Sequence, residues 1–432
     1  MRRLWPTGGL WRHGDFLKLW SAETISAFGS TIDDIAFPLV AILVLDASAF
    51  EVAALGTVLF LPFILFTLPA GVWVDRLPRR PILIVGDFGR AALYATVPIA
   101  YVADVLTLWQ LYVVGFLVGV FQVFFDVAYQ SYLPSLVGRD QIIEGNSKLQ
   151  VSQSAAQISG PGLGGILVEI LTAPYAVLVD ALSFVASGLF ILRIRTHEEA
   201  PERATTADGT KTSFWADVKE GLGFVLGNPN LRAQAGCTGT SNFFFSLAFA
   251  VFLVFAVREL GLSPGAIGIV FSVGAGGSFV AALTATRISR RFGIGPTTIA
   301  VTMLQGPAVL AMAFAPVGNE ALAVLIPAQL VLGYMLVTYN IVQVSYRQAI
   351  CPARLQGRMN SAMRFLVWGT IPLGTLAGGA LATWIGLREA IAIGAIGSGL
   401  SFLWILLSPQ RHLREMPEPA DDAPAAAEPA PA

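Results

Sequence analysis

The chain of 432 residues is 55% hydrophobic and only 13% charged, with a mean hydropathy of +0.68 and a net charge of −1. So few charged groups cannot cover a water-soluble protein of this length, which excludes a soluble enzyme. The net charge by itself says nothing about partners, and no nucleic-acid partner is expected of a membrane-embedded chain.

Apolar stretches of about 20 residues, enough to cross a bilayer, recur along nearly the whole sequence. They predict twelve membrane spans, over roughly 19–45, 52–74, 81–103, 106–133, 145–171, 174–194, 233–257, 265–286, 296–316, 320–347, 359–384 and 389–408. Lipid offers no partner for backbone N–H and C=O groups, so the spans are expected to be helices of an all-α polytopic membrane protein. The expected divisions are an N-terminus at 1–18, a six-helix bundle at 19–194, a linker at 195–230, a second six-helix bundle at 231–408 and a disordered tail at 409–432. Of 27 Lys and Arg, only Arg258 and Arg388 fall in loops that this count places outside. The positive-inside rule then puts both termini in the cytoplasm of a multi-pass protein of the cell membrane. Cys237 and Cys351 give no disulfide framework, and His13, His197 and His412 lie in polar flanks, which argues against a metal site in the bundle.

The first span carries an adjacent acidic pair, Asp33 and Asp34, about fourteen residues from its inner end and therefore near mid-bilayer. Glu23, Ser26 and Ser30 share their face, which makes one polar stripe. A carboxylate at this depth costs about 2.5–3.5 kcal/mol, so it must face water, find a partner or take up a proton. The pair is the first candidate for proton coupling; a packing hydrogen bond with no transport role is the alternative.

Between the second and third spans lies Gly71-Val-Trp-Val-Asp75-Arg76-Leu-Pro-Arg79-Arg80. Asp75 is expected to accept from backbone N–H groups of a neighbouring helix, and Arg76, Arg79 and Arg80 to pair with acids or lipid phosphates, latching one state. Asp87 and Arg90 follow in the third span and Asp126 in the fourth. Arg90 is placed to neutralise either acid, as a structural ion pair or as part of a proton relay. The fifth span aligns Asn146, Gln150, Gln153, Gln157, Gly160 and Gly164 on one face and ends in Gly160-Pro161-Gly162-Leu163-Gly164-Gly165. Small residues admit a close helix neighbour and Pro161 removes a backbone bond, while the glutamines are candidates to line a substrate cavity. Within the linker, Phe214–Phe224 reads as a short amphipathic helix on the inner membrane face.

The second half repeats the first. An offset of 211 carries Arg76, Arg79 and Arg80 onto Arg287, Arg290 and Arg291, and an offset of 214 carries Gly160, Gly164 and Gly165 onto Gly374, Gly378 and Gly379. At the latter offset Asp126 becomes Asn340, a further cavity candidate, and Gln150 becomes Arg364, an intramembrane cation able to hold an anionic group or pair with an acid. Asp33 and Asp34 fall on Leu247 and Ala248, which concentrates titratable chemistry in the first half. Phe243, Phe244, Phe245 and Phe249 offer aromatic contact, with lipid-facing or packing roles as the plainer reading. Two copies of one half are the plan of a secondary transporter.

Gly71, Asp75, Arg76, Arg79 and Arg80, with Gly160, Pro161, Gly164 and Gly165, resemble the loop motif and the helix-five antiporter motif of the major facilitator superfamily. Phe16-Leu-Lys-Leu-Trp20, Asp87-Phe-Gly-Arg90 and Phe125-Asp126 with Leu133-Pro134 resemble its subgroup of enterobactin exporters and macrolide-efflux proteins. Leu77-Pro78 departs from the glycine that many members carry there. The resemblance implies the major facilitator fold and proton-driven export of amphipathic small molecules. No phosphate-binding loop or hydrolase constellation is present, so an enzyme or ATP-driven pump is not expected. The expected energy source is the proton gradient, without a cofactor, and the expected partners are a small-molecule substrate, protons and the bilayer, with the chain acting as a monomer. An uptake symporter for a small metabolite and a transport-dead scaffold or sensor are the competing readings; retained mid-membrane acids disfavour the scaffold.

Overall fold

The computed structural model describes residues 9–74, 77–138, 141–196, 214–352 and 355–415. The first half holds α1 (Gly14–Leu39, extended by a π-type turn, Val40–Val44), α2 (Ala49–Val74), α3 (Arg79–Val102), α4 (Leu108–Val137), α5 (Ile142–Leu171) and α6 (Ala173–Leu192). After a linker helix, α7 (Phe214–Gly227), come α8 (Pro229–Arg258), α9 (Pro264–Phe292), α10 (Ile294–Ala313) and α11 (Leu322–Ile350). The last two spans are interrupted. α12 (Gln356–Trp368) and α13 (Thr370–Ile385) break at Gly369, where Pro372 has no N–H for the Trp368 carbonyl. A 3-10 turn joins α14 (Leu387–Gly399) to α15 (Leu403–Leu406). Eleven spans are recognisable by length and hydropathy; α5 is not, because Glu144, Lys148, Gln150, Gln153 and Gln157 dilute it. It nevertheless joins α4 to α6 and packs along α1, which completes twelve.

Caps mark where helices start. Thr107 accepts from Gln110 N at α4, and Ser263 accepts from Ala266 N ahead of Pro264 at α9. Packing follows the sequence repeat. α1 lies on α5 and α6, α3 on α6 and α2 on α4; likewise α8 lies on α13 and α14, α10 on α14 and α9 on α11. The α5–α6 turn is one residue, Thr172 at φ 76°, and 214 positions on, the α13–α14 turn is Gly386 at φ 101°. Glycine packing refines the register between copies. Gly164 abuts Ile32 and Gly378 abuts Leu247, an offset of 215. Asp33 and Asp34 therefore correspond to Ala248 and Phe249, one residue beyond the sequence alignment, and the second copy still carries no acid there.

The bundles meet toward the face opposite the one where the described chain starts and ends, here called the terminal face. Across this junction Gly162 N donates to Ser272 Oγ (2.8 Å), Glu169 accepts from Ser263 Oγ and Gly265 N (both 3.0 Å), and Arg258 pairs with Asp46 (2.6 Å). Gly379 of α13 packs on Phe50 and Ala53 of α2 as its counterpart Gly165 packs on Pro264 and Gly268 of α9. Between described residues, no hydrogen bond crosses the bundles at the terminal face. Large apolar side chains such as Trp109, Trp384 and Leu407 point outward, as lipid-facing surfaces require. The linker is more than a solvated tether: in α7, Val225 is fully buried in a cluster with Leu231, Leu355 and Met359, and Glu220 pairs with Arg358 of α12.

Candidate functional site

Arg90 organises the first polar cluster. Long and cationic, it is 1% exposed, with its guanidinium between the rings of Phe125 (4.3 Å) and Phe184 (4.1 Å). It donates to Asp87 (2.6 Å), to the Gly86 carbonyl (3.2 Å) and to Gln122, whose amide in turn donates to Asp126 (2.7 Å). Ser187 of α6 donates to the second oxygen of Asp87 (2.7 Å). Both acids expected beside Arg90 are thus served, one directly and one through an amide. Glu23 of α1 sits within electrostatic reach of Asp87, Arg90 and Asp126, and one of its oxygens is buried without a protein partner.

Farther along α1 the adjacent pair divides. Successive helical residues point about 100° apart, so Asp33 is 5% exposed while Asp34 is exposed. Asp33 faces Tyr94 and Asp180, and its Oδ1 has no protein partner. Asp180 of α6, fully buried, accepts from Ser183 (2.8 Å) and leaves Oδ2 unpartnered. Gly29 lets α1 approach this spot, since a side chain there would strike Asp180 and Ser183.

The helix-five glycines serve two neighbours. Gly160 packs on Thr31, and a Cβ at Gly164 would lie 2.8 Å from the Ile32 carbonyl, so both hold α5 against α1 one turn or less from Asp33. Gly162 and Gly165 face α9 across the bundle junction, as does the Pro161 carbonyl, which lies against Gly268. Gln150, Gln153 and Gln157 are exposed on α5. In the loop motif, a Cβ added at Gly71 would meet no atom of the described residues within 4 Å, and Arg80 donates to the Ile191 (3.3 Å) and Leu192 (2.8 Å) carbonyls, capping α6 within its own bundle. Asp75 and Arg76, central to the expected latch between halves, lie outside the described residues.

A cavity of about 690 Å³ opens in the second half. It is lined by α8, α9, α10, α11 and α12, with Asn340 and Arg364 among its residues. Gln150, Gln153 and Gln157 are not part of this wall, which is built from the other bundle. Phe245 and Phe249 line it with Phe271, whereas Phe244 packs against Gly397 and the Phe243 backbone against Gly374. Trp368 covers the Arg364 guanidinium (5.1 Å). Ser241 donates to Gln305 (2.9 Å) and Gln343 to Asn340 (3.3 Å) on the same wall.

Sequence reading passed over Asp180, Gln122 and Tyr94 in the first half and Gln329, Gln343 and Arg347 in the second. Asp180 had a signal, being a lone acid in an apolar span. So did α11, where Gln329, Leu332, Leu336, Asn340, Gln343 and Arg347 fall at helical spacing on one face. Gln122 and Tyr94 had none, because only helix rotation decides what they touch.

Residues 19–372 match the family described as Major Facilitator Superfamily. The chain is 28% identical over 388 residues to the multidrug efflux pump Tap of Mycolicibacterium fortuitum, covering 87% of this chain and 91% of that protein. It is 24% identical over 219 residues to macrolide efflux protein A of Streptococcus pyogenes, covering 50% of this chain and 53% of the relative. In structure it is similar to a bacterial homologue of the iron transporter ferroportin in an inward-facing state, with TM-score 0.67, 17% identity and coverage of 93% and 99% of the two chains.

Proposed function

As a member of the Major Facilitator Superfamily this chain is a transporter and not an enzyme, and we propose that it exports a small amphipathic molecule by proton antiport with alternating access. One observation carries the reading: Glu23, Asp33, Asp34, Asp87, Asp126 and Asp180 lie within the spans of one bundle, and Arg90 is the guanidinium set among them. Carboxylates in such excess need water or protons as counter-charge, and a proton that comes and goes is a means of energy coupling. Asp34, exposed, is the side chain that meets solvent and substrate; Asp33, beside Asp180 and Tyr94, holds the proton within the α1–α6 interface. The proton gradient is the energy source and no cofactor takes part.

The relatives named as efflux pumps support outward transport. The distribution of Lys and Arg supports a cell-membrane protein with its terminal face in the cytoplasm. The bundles join at the opposite face, so the substrate enters from the cytoplasmic side, and separation of that junction releases it outside. The unit is a monomer working with its substrate, protons and the bilayer.

The test is accumulation of a fluorescent amphipathic compound in cells with and without the protein, with and without a proton uncoupler. Uncoupler-sensitive export that disappears in Asp33→Asn/Asp34→Asn, with membrane insertion retained, is the expected result. Wild-type export in that double variant removes the proton-coupling assignment. Higher accumulation in producing cells indicates uptake.

A further inference from the structure

The two halves are oppositely charged within the membrane. Between residues 229 and 406 the acids are Glu259, Glu320 and Glu389, and all three sit at helix ends on the face opposite the termini. The second-half cavity therefore has no carboxylate in its wall, yet it contains two guanidinium groups, Arg347 and Arg364. Arg364 lies within electrostatic reach of Arg347 and repels it. Arg347 Nε is buried without a protein partner, as are Gln343 Oε1 and Gln329 Nε2; these two glutamines are 4% and 6% exposed. Arg347 is half-buried and Arg364 is exposed to the cavity, and two guanidinium groups facing one space with no carboxylate beside them attract an anion.

The cavity is also graded along its length. Arg347 lies three residues from the terminal-face end of α11, and Gln329 eighteen residues farther in, about 27 Å at the helical rise. Phe245, Phe249 and Phe271 wall the inner part, with Phe249 edge-on to Phe271 (5.5 Å). Amides occupy the middle. One end thus suits an anionic head and the other a flat apolar body.

We propose that this cavity binds amphipathic aromatic anions, with the carboxylate or equivalent acid group at Arg347 and Arg364 and the ring system against Phe245, Phe249 and Phe271. The assignment rests on the exporter reading and names its substrate class. Acids of the first bundle repel such a ligand, so it is held on the second-bundle wall while protons are carried by the first. An inside-negative membrane potential drives the anion outward, in the same sense as inward proton flow.

The test uses the full chain in nanodiscs of neutral phosphatidylcholine, so that no anionic lipid competes. Binding of radiolabelled 2-naphthoate, 2-naphthalenemethanol and 2-naphthylmethylammonium is compared. Naphthoate is expected to bind at least about tenfold more tightly than the other two, a difference of about 1.4 kcal/mol. Arg347→Gln/Arg364→Gln is expected to lose that preference, and Arg347→Lys/Arg364→Lys to keep most of it, which separates charge from damage to the fold. Equal binding of the three probes, preference for the ammonium, no saturable naphthoate binding, or unchanged selectivity in the glutamine variant overturns the proposal. Binding needs no gradient, so anion selectivity without uncoupler-sensitive export fails the exporter reading alone. Uncoupler-sensitive export with unselective binding fails the substrate class alone.

Discussion

At the scale of single residues, Arg90 does more than neutralise a neighbour. Its two faces are covered by Phe125 and Phe184 and its edge serves Asp87 and Gln122, so removing it strands Asp87 in a dry interface and leaves the Gln122 carbonyl without its donor. Breaking a buried pair from one side costs about 3–5 kcal/mol. Arg90→Met is therefore expected to lower the thermal midpoint of the detergent-solubilised protein sharply, and Arg90→Met/Asp87→Asn to recover part of the loss. If the second substitution recovers nothing, Asp87 is not the group that Arg90 neutralises. Asp180 carries a different expectation. Asp180→Asn keeps the Ser183 contact and removes a titratable group beside Asp33, so uphill export should fall with little change in midpoint; unchanged export would leave Asp180 a packing residue. The acids themselves were legible in the sequence, as charged letters in apolar runs. Their partners were not: Asp33 and Asp34 are neighbours in the chain, and only the rotation of α1 sends one to Asp180 and leaves the other exposed.

At the scale of elements, the glycines of α5 set how near α1 can come. A methyl at Gly164 would meet the Ile32 carbonyl at 2.8 Å, and backbone cannot move aside as a flexible side chain can. Gly164→Ala is expected to slow export of every compound in the same proportion; a change confined to some compounds would mean that Gly164 contacts substrate. Thr172 supplies the opposite case. A β-branched residue at φ 76° is strained, by about 1–3 kcal/mol, where the second copy uses Gly386. Thr172→Gly is expected to raise the thermal midpoint modestly, since glycine returns part of the gain as chain entropy. A lower midpoint would show that the threonine side chain contributes more than its backbone strain. The polar face of α5 was visible as a stripe and escapes hydropathy for the same reason, whereas the face of α11 that carries Gln329, Asn340, Gln343 and Arg347 also carries Leu332 and Leu336, so its spacing is legible but its polarity is weaker.

At the scale of the whole molecule, the junction opposite the terminal face is the part that closes one side in the alternating-access cycle proposed above. It rests on few polar links, namely Gly162 with Ser272, Glu169 with Ser263 and Gly265, and Arg258 with Asp46 and the Ala47 carbonyl, on top of the glycine contacts of α5–α9 and α13–α2. Glu169→Ala removes two hydrogen bonds from one side of this junction. A loss of about 1.4 kcal/mol shifts the ratio of the two access states tenfold. Labelling of a cysteine placed at Ala53, buried where α2 meets Gly379, is expected to rise from the outer side accordingly; unchanged labelling would assign closure to the glycine packing alone.

Composition, charge placement and the 214-residue repeat determined, without coordinates, that this is a twelve-span protein of two matching halves with its mid-membrane acids in the first. Those features are properties of letters and spacing, since a lipid solvent imposes length and periodicity on any span. The location of the cavity was decided only in three dimensions. The candidates Gln150, Gln153 and Gln157 satisfied the spacing rule as well as Gln329, Asn340 and Gln343 did, and spacing fixes which residues share a face without fixing what that face meets. The approach of α8 and α12 to α11 encloses the second set, and the same packing gathers Arg347 and Arg364, seventeen residues apart, into one acid-free wall.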